Sequence, residues 1–273
     1  MLYSPVLSIL RIFLFIIWTI ICVSIQLVFI LLPKRFFFLI IKLYFKGLIN
    51  IFGIKVNIVG KPEKDQTLYL SNHTSYLDIL ILGSELNALF VAKSEISNWP
   101  VINRLAKLGK TIFINRNKKK ESLSQSNELA NYMDKGLSII LFPEGTSNDG
   151  NKVLPFKSSL FEVIKQTKNK DLKLQPTAIC YSSFEGLPIN RFFKPFFAWY
   201  GAMDLFPHVW MFLGLGDCEI NVNFHKAKYF SEFEHRKEAC DYCYEIISNQ
   251  ISKDLNERKI VRSDIKLYGF KYL

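Results

Sequence analysis

Acidic residues are absent from the first 62 positions of this 273-residue chain, although seven basic residues occur there. These basic residues are Arg11, Lys34, Arg35, Lys42, Lys46, Lys55 and Lys61. The rest of the chain is nearly balanced, because 28 of the 35 basic residues stand there against all 24 acidic ones. This distribution argues against a nucleic-acid partner and favours anionic lipid headgroups beside the N-terminal segment.

Cysteine is scarce, with five residues in an odd number and without the spacing of a disulfide framework. The sequence therefore fits a reducing compartment rather than a disulfide-stapled scaffold. Cys240 and Cys243 form a lone CxxC in a predicted helix, and no second pair completes a zinc site. We therefore predict no metal site.

Long charge-free runs are confined to the N-terminus. Ile12 to Leu32 is 21 residues without a charge, enough for a helix to cross a hydrocarbon layer of about 30 Å. Residues 34–52 are apolar but basic, with Lys42 and Lys46 on one helical face, which is typical of a segment lying along an interface. Residues 1–53 are therefore predicted to anchor the chain to a membrane. A simple span and a monotopic hairpin both remain open.

The remainder, residues 54–273, alternates short apolar runs with helical patterns, as in an α/β domain. Basic flanks after the first helix place this domain in the cytoplasm if that helix spans. The predicted strands are Val56–Val59, Thr67–Leu70, Leu89–Val91, Thr111–Ile114, Ser138–Leu141, Leu174–Ile179 and Glu219–Phe224. The predicted helices are Ser75–Leu82, Trp99–Leu108, Ser122–Lys135, Ser158–Gln166 and Phe233–Leu255, the last opened by a capping box of Ser231 and Glu234.

Residues 192–215 are rich in Phe, Trp, Tyr and Met but contain Lys194, Asp204 and His208. Pro195 and Pro207 are expected to break any helix there. Two interpretations stand side by side: core strands with a loop, or an aromatic surface that contacts the bilayer or a lipid chain.

The segment NHTSYLD places His73 and Asp78 five residues apart after an apolar strand. At a strand-to-helix turn the Asp carboxylate can bond one imidazole nitrogen and leave the other to accept a substrate proton. A substrate that brings its own hydroxyl then needs no enzyme nucleophile. In the alternative interpretation, Asn72 and His73 simply cap the helix.

A second motif, FPEGTS, follows a predicted strand about seventy residues later. Pro143 and Gly145 force a tight turn whose N–H groups can form an anion nest. Glu144 is predicted to hold a basic side chain or to accept a substrate hydroxyl. Between the two motifs, GKTIFINR runs from Gly109 to Arg116, and an Arg at a strand end can clamp a phosphate.

These blocks, together with Pro176 in a later strand, resemble in order those of the glycerolipid acyltransferase family, which includes 1-acylglycerol-3-phosphate (lysophosphatidic acid) acyltransferases. The resemblance covers about residues 35–225. Phe156 and Lys157 resemble the segment after the third block, although Ser158 and Ser159 stand where Gly is common. The family implies an α/β fold with a mixed central sheet flanked by helices, preceded by a two-helix membrane hairpin.

The resemblance also implies the chemistry. His73 would deprotonate the sn-2 hydroxyl of 1-acylglycerol-3-phosphate, which attacks an acyl thioester directly to give phosphatidic acid, and Asp78 would orient His73. Backbone N–H groups near the His turn would stabilise the oxyanion. The residues expected to bind the acceptor are Arg116, Glu144, Gly145, Thr146, Lys93 and Lys110.

The expected partners are a lysophospholipid, an acyl thioester and the bilayer, with acyl-CoA or acyl carrier protein as donor and no cofactor or nucleic acid. The expected location is the cytoplasmic side of a bacterial inner membrane. The block from Trp199 to Trp210 also resembles proteobacterial members that include lyso-ornithine lipid acyltransferases, which leaves the acceptor open. A catalytically silent membrane-binding protein on the same fold is the third alternative, and intact His73, Asp78 and Glu144 argue against it.

Overall fold

Strands and helices alternate along the chain, as the short apolar runs predict. The computed structural model describes residues 3–29, 34–114, 122–169 and 171–256. All seven predicted strands are confirmed within ranges that differ by a few residues, and two short strands at the ends of β6 add to them. The strands are β1 (Ile54–Gly60), β2 (Thr67–Ser71), β3 (Ala88–Lys93), β4 (Ile112–Ile114), β5 (Ser138–Leu141), β6 (Lys173–Phe184), β7 (Leu187–Pro188), β8 (Cys218–Phe224) and β9 (Lys228–Tyr229).

These strands form one mixed sheet in the order β1-β8-β6-β2-β5-β3-β4, with β7 and β9 paired to β6. Strands β2, β3, β4 and β5 are parallel, and β6 is parallel to β2 but antiparallel to β8. Leu70 of β2 pairs with Leu141 of β5. The two motifs that follow these strands therefore emerge side by side at the same edge of the sheet.

Helices cover both faces of the sheet, and each face carries its own apolar core. The central strand β2 is buried along its whole length, as expected for a parallel strand covered on both sides. The helices are α1 (Pro5–Phe29), α2 (Lys34–Ile51), α3 (Leu77–Glu85), α4 (Pro100–Leu108), α5 (Ser122–Asp134), α6 (Val163–Gln166), α7 (Leu205–Leu213) and α8 (Arg236–Asn256). The predicted α/β class with a mixed, helix-flanked sheet is confirmed.

Helix α1 has its polarity inverted relative to a helix of a water-soluble core. It buries Ser8, Arg11, Cys22 and Gln26 and exposes a stripe of aliphatic and aromatic side chains. The exposed stripe includes Val6, Ile9, Leu10, Phe13, Ile16, Ile17 and Ile20. Within the described residues, α1 is the one helix long and apolar enough to cross a membrane.

Helix α2 lies between α1 and the sheet. The Trp18 indole of α1 donates to the Tyr44 carbonyl at 3.0 Å, while Ile49 and Phe52 enter the core. Gly47 lets the helices approach closely, because a Cβ there would lie 2.2 Å from the Trp18 ring. That these helices form a membrane hairpin, and that a domain boundary falls at residue 53, stay predictions.

Three local expectations were wrong: the core-strand interpretation of residues 192–215, the helix break at Pro207, and the position of the capping box. Residues 192–215 form no core strands: a short 3₁₀ turn at Lys194–Phe196 precedes helix α7. Pro207 lies in the first turn of α7, where its missing N–H has no intrahelical partner to lose. The capping box is formed by Tyr229 and Glu232 around a 3₁₀ turn, and the last helix starts at Arg236 rather than Phe233.

Candidate active site

His73 and Asp78 meet at the turn between β2 and α3. His73 Nδ1 lies 2.9 Å from Asp78 Oδ2, and Asp78 is fully buried in the first turn of α3. A carboxylate accepts hydrogen bonds, so His73 carries its proton on Nδ1 and presents Nε2 as an acceptor. The imidazole stacks on Phe142 with 4.2 Å between ring centroids, and 19% of the side chain is exposed. This arrangement suits a general base that is open to substrate on one side.

Asp78 is held by three further donors. Oδ2 accepts from the backbone N–H groups of Thr74 and Ser75 at 2.7 and 2.9 Å. Oδ1 accepts from the hydroxyl of Tyr181 on β6 at 2.7 Å. Burial, and secondarily the Asp78 charge, raise the pKa of Tyr181 well above its ordinary value, so the phenol stays protonated as a donor. Four hydrogen bonds therefore keep this buried carboxylate in one orientation.

Asn72 does not cap α3, contrary to one sequence interpretation. Its side-chain amide donates to the Ile179 carbonyl at 2.9 Å and accepts from the Ile179 N–H at 2.8 Å. This pair of bonds replaces one step of backbone pairing between the end of β2 and β6. The turn that carries His73 is thereby tied to the neighbouring strand.

Glu144 is turned inward, toward the main chain of the catalytic turn. Its Oε1 accepts from the His73 N–H at 2.7 Å, and its Oε2 accepts from the Leu154 N–H at 2.9 Å and from the Asn148 amide. Burial raises the pKa of Glu144 to about 7, against the opposing effect of these three donors. Glu144 thus holds the His73 backbone rather than a basic side chain.

Asn148 completes the clamp on His73. Its backbone N–H donates to the His73 carbonyl at 3.0 Å, and its side chain donates to Glu144. The main chain of His73 is therefore held from both sides by the loop that follows β5. Asn148 lies just beyond the predicted motif, and nothing in the sequence indicated that it would hold the His73 main chain.

The FPEG turn closes with a hydrogen bond from Gly145 N–H to the Phe142 carbonyl at 3.0 Å. Gly145 has a φ of +75°, which explains why Gly occupies this position. Lys157, which sequence analysis left without a role, lies over the turn: a Cβ on Gly145 would come within 2.7 Å of its ammonium. Thr146 is exposed next to this turn. Acceptor binding by Glu144, Gly145 and Thr146 stays a prediction.

Of the predicted cationic residues, the structure describes Lys93 and Lys110, and their surroundings differ. Lys93 is exposed at the end of β3, at the same edge of the sheet as the His73 turn. Lys110 instead lies over the Phe37 ring of α2, with 4.4 Å from its ammonium to the ring centroid. Arg116 lies outside the described residues. Substrate contacts of all three stay predictions.

Helix α7 and the segment before it dock on the catalytic turn. The backbone N–H of Trp199 donates to the Thr74 carbonyl at 3.0 Å, and the Tyr76 hydroxyl lies 3.1 Å from His208 Nδ1. His208 Nε2 faces the carbonyls of Pro195 and Ala198, both at 3.1 Å, so Nε2 carries the proton and Nδ1 accepts from Tyr76. Burial lowers the pKa of His208, which keeps the ring neutral.

Three backbone N–H groups of the His turn are already engaged. The N–H groups of His73, Thr74 and Ser75 donate to Glu144 or Asp78. These three groups are therefore occupied by carboxylates in this structure, and stabilisation of the oxyanion by backbone N–H groups near the turn stays a prediction.

Comparisons with known proteins identify the family. The sequence model described as Acyltransferase matches residues 55–180. The lyso-ornithine lipid O-acyltransferase of Rhizobium meliloti strain 1021 is 35% identical over 216 residues, covering 77% of this chain and 73% of that protein. This chain belongs to the acyltransferase family. The residues that gave the resemblance, including His73, Asp78 and Glu144, fall inside the matched region.

Two further relatives of this acyltransferase bear different names. The lyso-ornithine lipid O-acyltransferase of Brucella abortus strain 2308 is 36% identical, covering 69% of this chain and 72% of that protein. The 1-acyl-sn-glycerol-3-phosphate acyltransferase of Neisseria gonorrhoeae is 28% identical, covering 72% and 74%. The solved 1-acyl-sn-glycerophosphate acyltransferase PlsC of Thermotoga maritima superposes with a TM-score of 0.69 at 18% identity, covering 93% of this chain and 96% of that one. At that identity the superposition establishes the fold.

The Tyr181→Phe variant of the acyltransferase tests the fourth bond to Asp78. Without that donor, the Asp78 charge acts more fully on a protonated His73, so the acidic midpoint of kcat/KM should move to higher pH. We expect a loss of about 3- to 10-fold in kcat, consistent with one charge-assisted hydrogen bond of about 1.5–3 kcal/mol that is only partly expressed in the transition state. A pH–rate profile measures both. A lower kcat with an unmoved midpoint would indicate that the hydroxyl supports only the fold.

Proposed function

We propose that this protein transfers an acyl group from a thioester to the hydroxyl of a membrane lysolipid, with lyso-ornithine lipid as the first candidate acceptor. The His73–Asp78 pair, 2.9 Å apart with Asp78 buried, carries the proposal for the reaction. The candidate acceptor rests on relatives named for it at 35% and 36% identity, against 28% for the phosphate-acceptor relative.

The first step is removal of a proton from the acceptor. His73 Nε2 takes the hydroxyl proton, while Asp78 stabilises the imidazolium that forms. The hydroxyl oxygen attacks the thioester carbonyl and forms a tetrahedral intermediate. Collapse of the intermediate breaks the carbon–sulfur bond, and the imidazolium returns its proton to the departing thiolate. The products are an ester and a free thiol, with no acyl-enzyme.

The loop after β5 holds the catalytic base in position. Glu144 and Asn148 hold the N–H and the carbonyl of His73, and Phe142 stacks on its ring. The base is therefore fixed in its main chain and in the plane of its ring before substrate binds. Such preorganisation lowers the cost of reaching the reactive geometry.

Attachment to a membrane fits the inverted polarity of α1. An exposed apolar stripe over buried Ser8, Arg11 and Gln26 is stable where the surroundings are hydrocarbon rather than water. With basic residues beside it, this helix is proposed to hold the enzyme on the cytoplasmic side of a bacterial inner membrane. The donor is proposed to be acyl-CoA or acyl carrier protein.

A second candidate acceptor is 1-acylglycerol-3-phosphate, with phosphatidic acid as the product of phospholipid biosynthesis. Two observations favour it: the Lys157 ammonium over the Gly145 turn, and the Neisseria relative named for that activity. Arg116 would add a bidentate phosphate contact. A non-catalytic membrane-binding protein is disfavoured because Asp78 of the His73–Asp78 pair is buried and held by three further donors, which lipid binding alone does not require.

An acceptor panel tests the proposal. Membranes containing the protein are incubated separately with lyso-ornithine lipid, lysophosphatidic acid and lysophosphatidylcholine, each with acyl-CoA and with acyl carrier protein thioester, and the products are identified by mass. We expect the highest kcat/KM with lyso-ornithine lipid. Preference for lysophosphatidic acid would transfer the assignment to the second candidate, and no acylated product from any pair would refute the proposed reaction.

A further inference from the structure

Helix α7 exposes aromatic side chains that the proposed chemistry does not use. Phe206 is 77% exposed and Trp210 is 37% exposed. They are four residues apart and therefore share one face of the helix. The opposite face buries the polar His208 and Phe212, and Leu213 is buried at the end of the helix. Like α1, this helix buries a polar group while large apolar side chains face outward.

Helix α7 packs directly against the start of α1. The Ser8 hydroxyl of α1 donates to the Trp210 carbonyl at 3.0 Å, and the Ser4 N–H donates to the Gly214 carbonyl at 2.8 Å. The Arg11 guanidinium donates to the Leu215 carbonyl at 2.6 Å, just beyond the end of α7. The first turns of α1 are thus bonded to the C-terminal half of α7 and to the residues that follow it.

We propose that Phe206 and Trp210 form a second bilayer contact, seated in the interfacial layer next to α1. Trp and Phe are favoured at this level, where aromatic rings meet both headgroups and acyl chains. Phe192 is also exposed, and the Arg191 guanidinium lies 5.0 Å from the centroid of its ring. Arg191 therefore supplies a cation for anionic headgroups in the same segment. The inference rests on the proposed membrane attachment through α1.

This contact would set the height of the catalytic base above the membrane. The segment before α7 bonds the Thr74 carbonyl through Trp199, and His208 of α7 bonds Tyr76. Both partners lie within three residues of His73. A helix seated in the interface therefore holds the turn of His73 at a constant depth relative to lysolipid hydroxyls.

Depth measurement tests the contact directly. All five native cysteines are buried, so Phe206→Cys adds one accessible thiol for a nitroxide label in the full-length protein. Tyr229→Cys is the matched control, because Tyr229 is 43% exposed and pairs with Lys173 at the opposite end of the sheet. In phosphatidylcholine–phosphatidylglycerol vesicles, the label at 206 should collide more with oxygen than with a water-soluble nickel complex, and the control should show the reverse.

Two results would overturn the proposal. One is a label at position 206 that is as accessible to nickel as the label at 229. The other is dipolar broadening between labels at 206 that persists on dilution with lipid, which would assign the face to a second copy of the chain. Label depth does not depend on turnover, so failure of the acceptor panel and failure of this contact are separable.

A kinetic experiment tests whether the bilayer contact contributes to the reaction. Phe206→Ser should lower kcat/KM by about 3- to 10-fold for an acceptor presented in vesicles, and leave it unchanged for a short-chain acceptor dissolved as monomers. Tyr229→Ser should change neither value. Equal losses on vesicle and monomeric acceptors, or no loss on either, would contradict a role in seating the enzyme on the bilayer.

Discussion

The His73→Ala variant is expected to lose roughly 10³- to 10⁴-fold in kcat, at the upper end of what a positioned general base contributes. Without the imidazole, no group at this position accepts the proton of the attacking hydroxyl, and none returns it to the leaving thiolate. The measurement is the initial rate of ester formation under saturating donor and acceptor, with the product identified by mass.

The fold should survive this change. Glu144 and Asn148 bond the main chain of residue 73, and alanine retains that main chain. Membrane association and thermal unfolding should therefore stay close to those of the parent protein. His235→Ala, which removes an exposed imidazole at the start of α8, is the matched control with unchanged activity. Substantial turnover in His73→Ala would refute the assignment of the base.

The second large effect is expected for Asp78→Asn, which should lower kcat by about 10²- to 10³-fold. The backbone N–H groups of Thr74 and Ser75 require an acceptor at the position of Oδ2, so the Asn carbonyl should occupy it. The amide NH₂ then faces Tyr181, whose hydroxyl can accept. His73 keeps its tautomer but loses the negative charge that stabilises the imidazolium.

The pH dependence of kcat/KM separates the effect of the Asp78 charge from its role as a hydrogen-bond acceptor. In Asp78→Asn the acidic midpoint of kcat/KM should move to lower pH, because the protonated ring loses its anionic neighbour. In Tyr181→Phe the midpoint should move the other way. Two other ionisable groups act on this cluster: Glu144, whose pKa is raised by burial and less by the Asp78 charge, and Cys218, whose charge raises the pKa of Tyr181. Midpoints moving in the same direction in both variants would contradict a charge-based role.

The strands and α7 show what local sequence patterns can and cannot predict about secondary structure. Each predicted strand is a short apolar run bounded by turn residues, and burial on both faces of the sheet requires that composition. Helix α7 was not predicted, because Pro207 was expected to break a helix and His208 interrupts the apolar stretch. In the structure the proline lies in the first turn and the histidine is satisfied by Tyr76 and two carbonyls. Of these partners, Tyr76 is 132 residues away in sequence.

Glu144 shows the corresponding limit at the site. The sequence predicted that Glu144 lies in a turn after a strand, but it did not predict which groups its carboxylate contacts. Its carboxylate bonds the His73 main chain because β2 and β5 are neighbours in the sheet. Tyr181 is similar: it reaches Asp78 across a separation of 103 residues, and no spacing rule links the two positions.

The sequence by itself determined the α/β class, the strand positions, the basic apolar N-terminus and the pairing of His73 with Asp78, because these follow from side-chain periodicity, charge and contacts five residues apart. Only the tertiary structure decided what surrounds that pair: the Glu144 and Asn148 clamp, the Tyr181 hydroxyl, the engaged N–H groups and the docking of α7 beside α1. Strand order and helix packing bring those groups together. They depend on the burial of the whole chain rather than on any one segment of it.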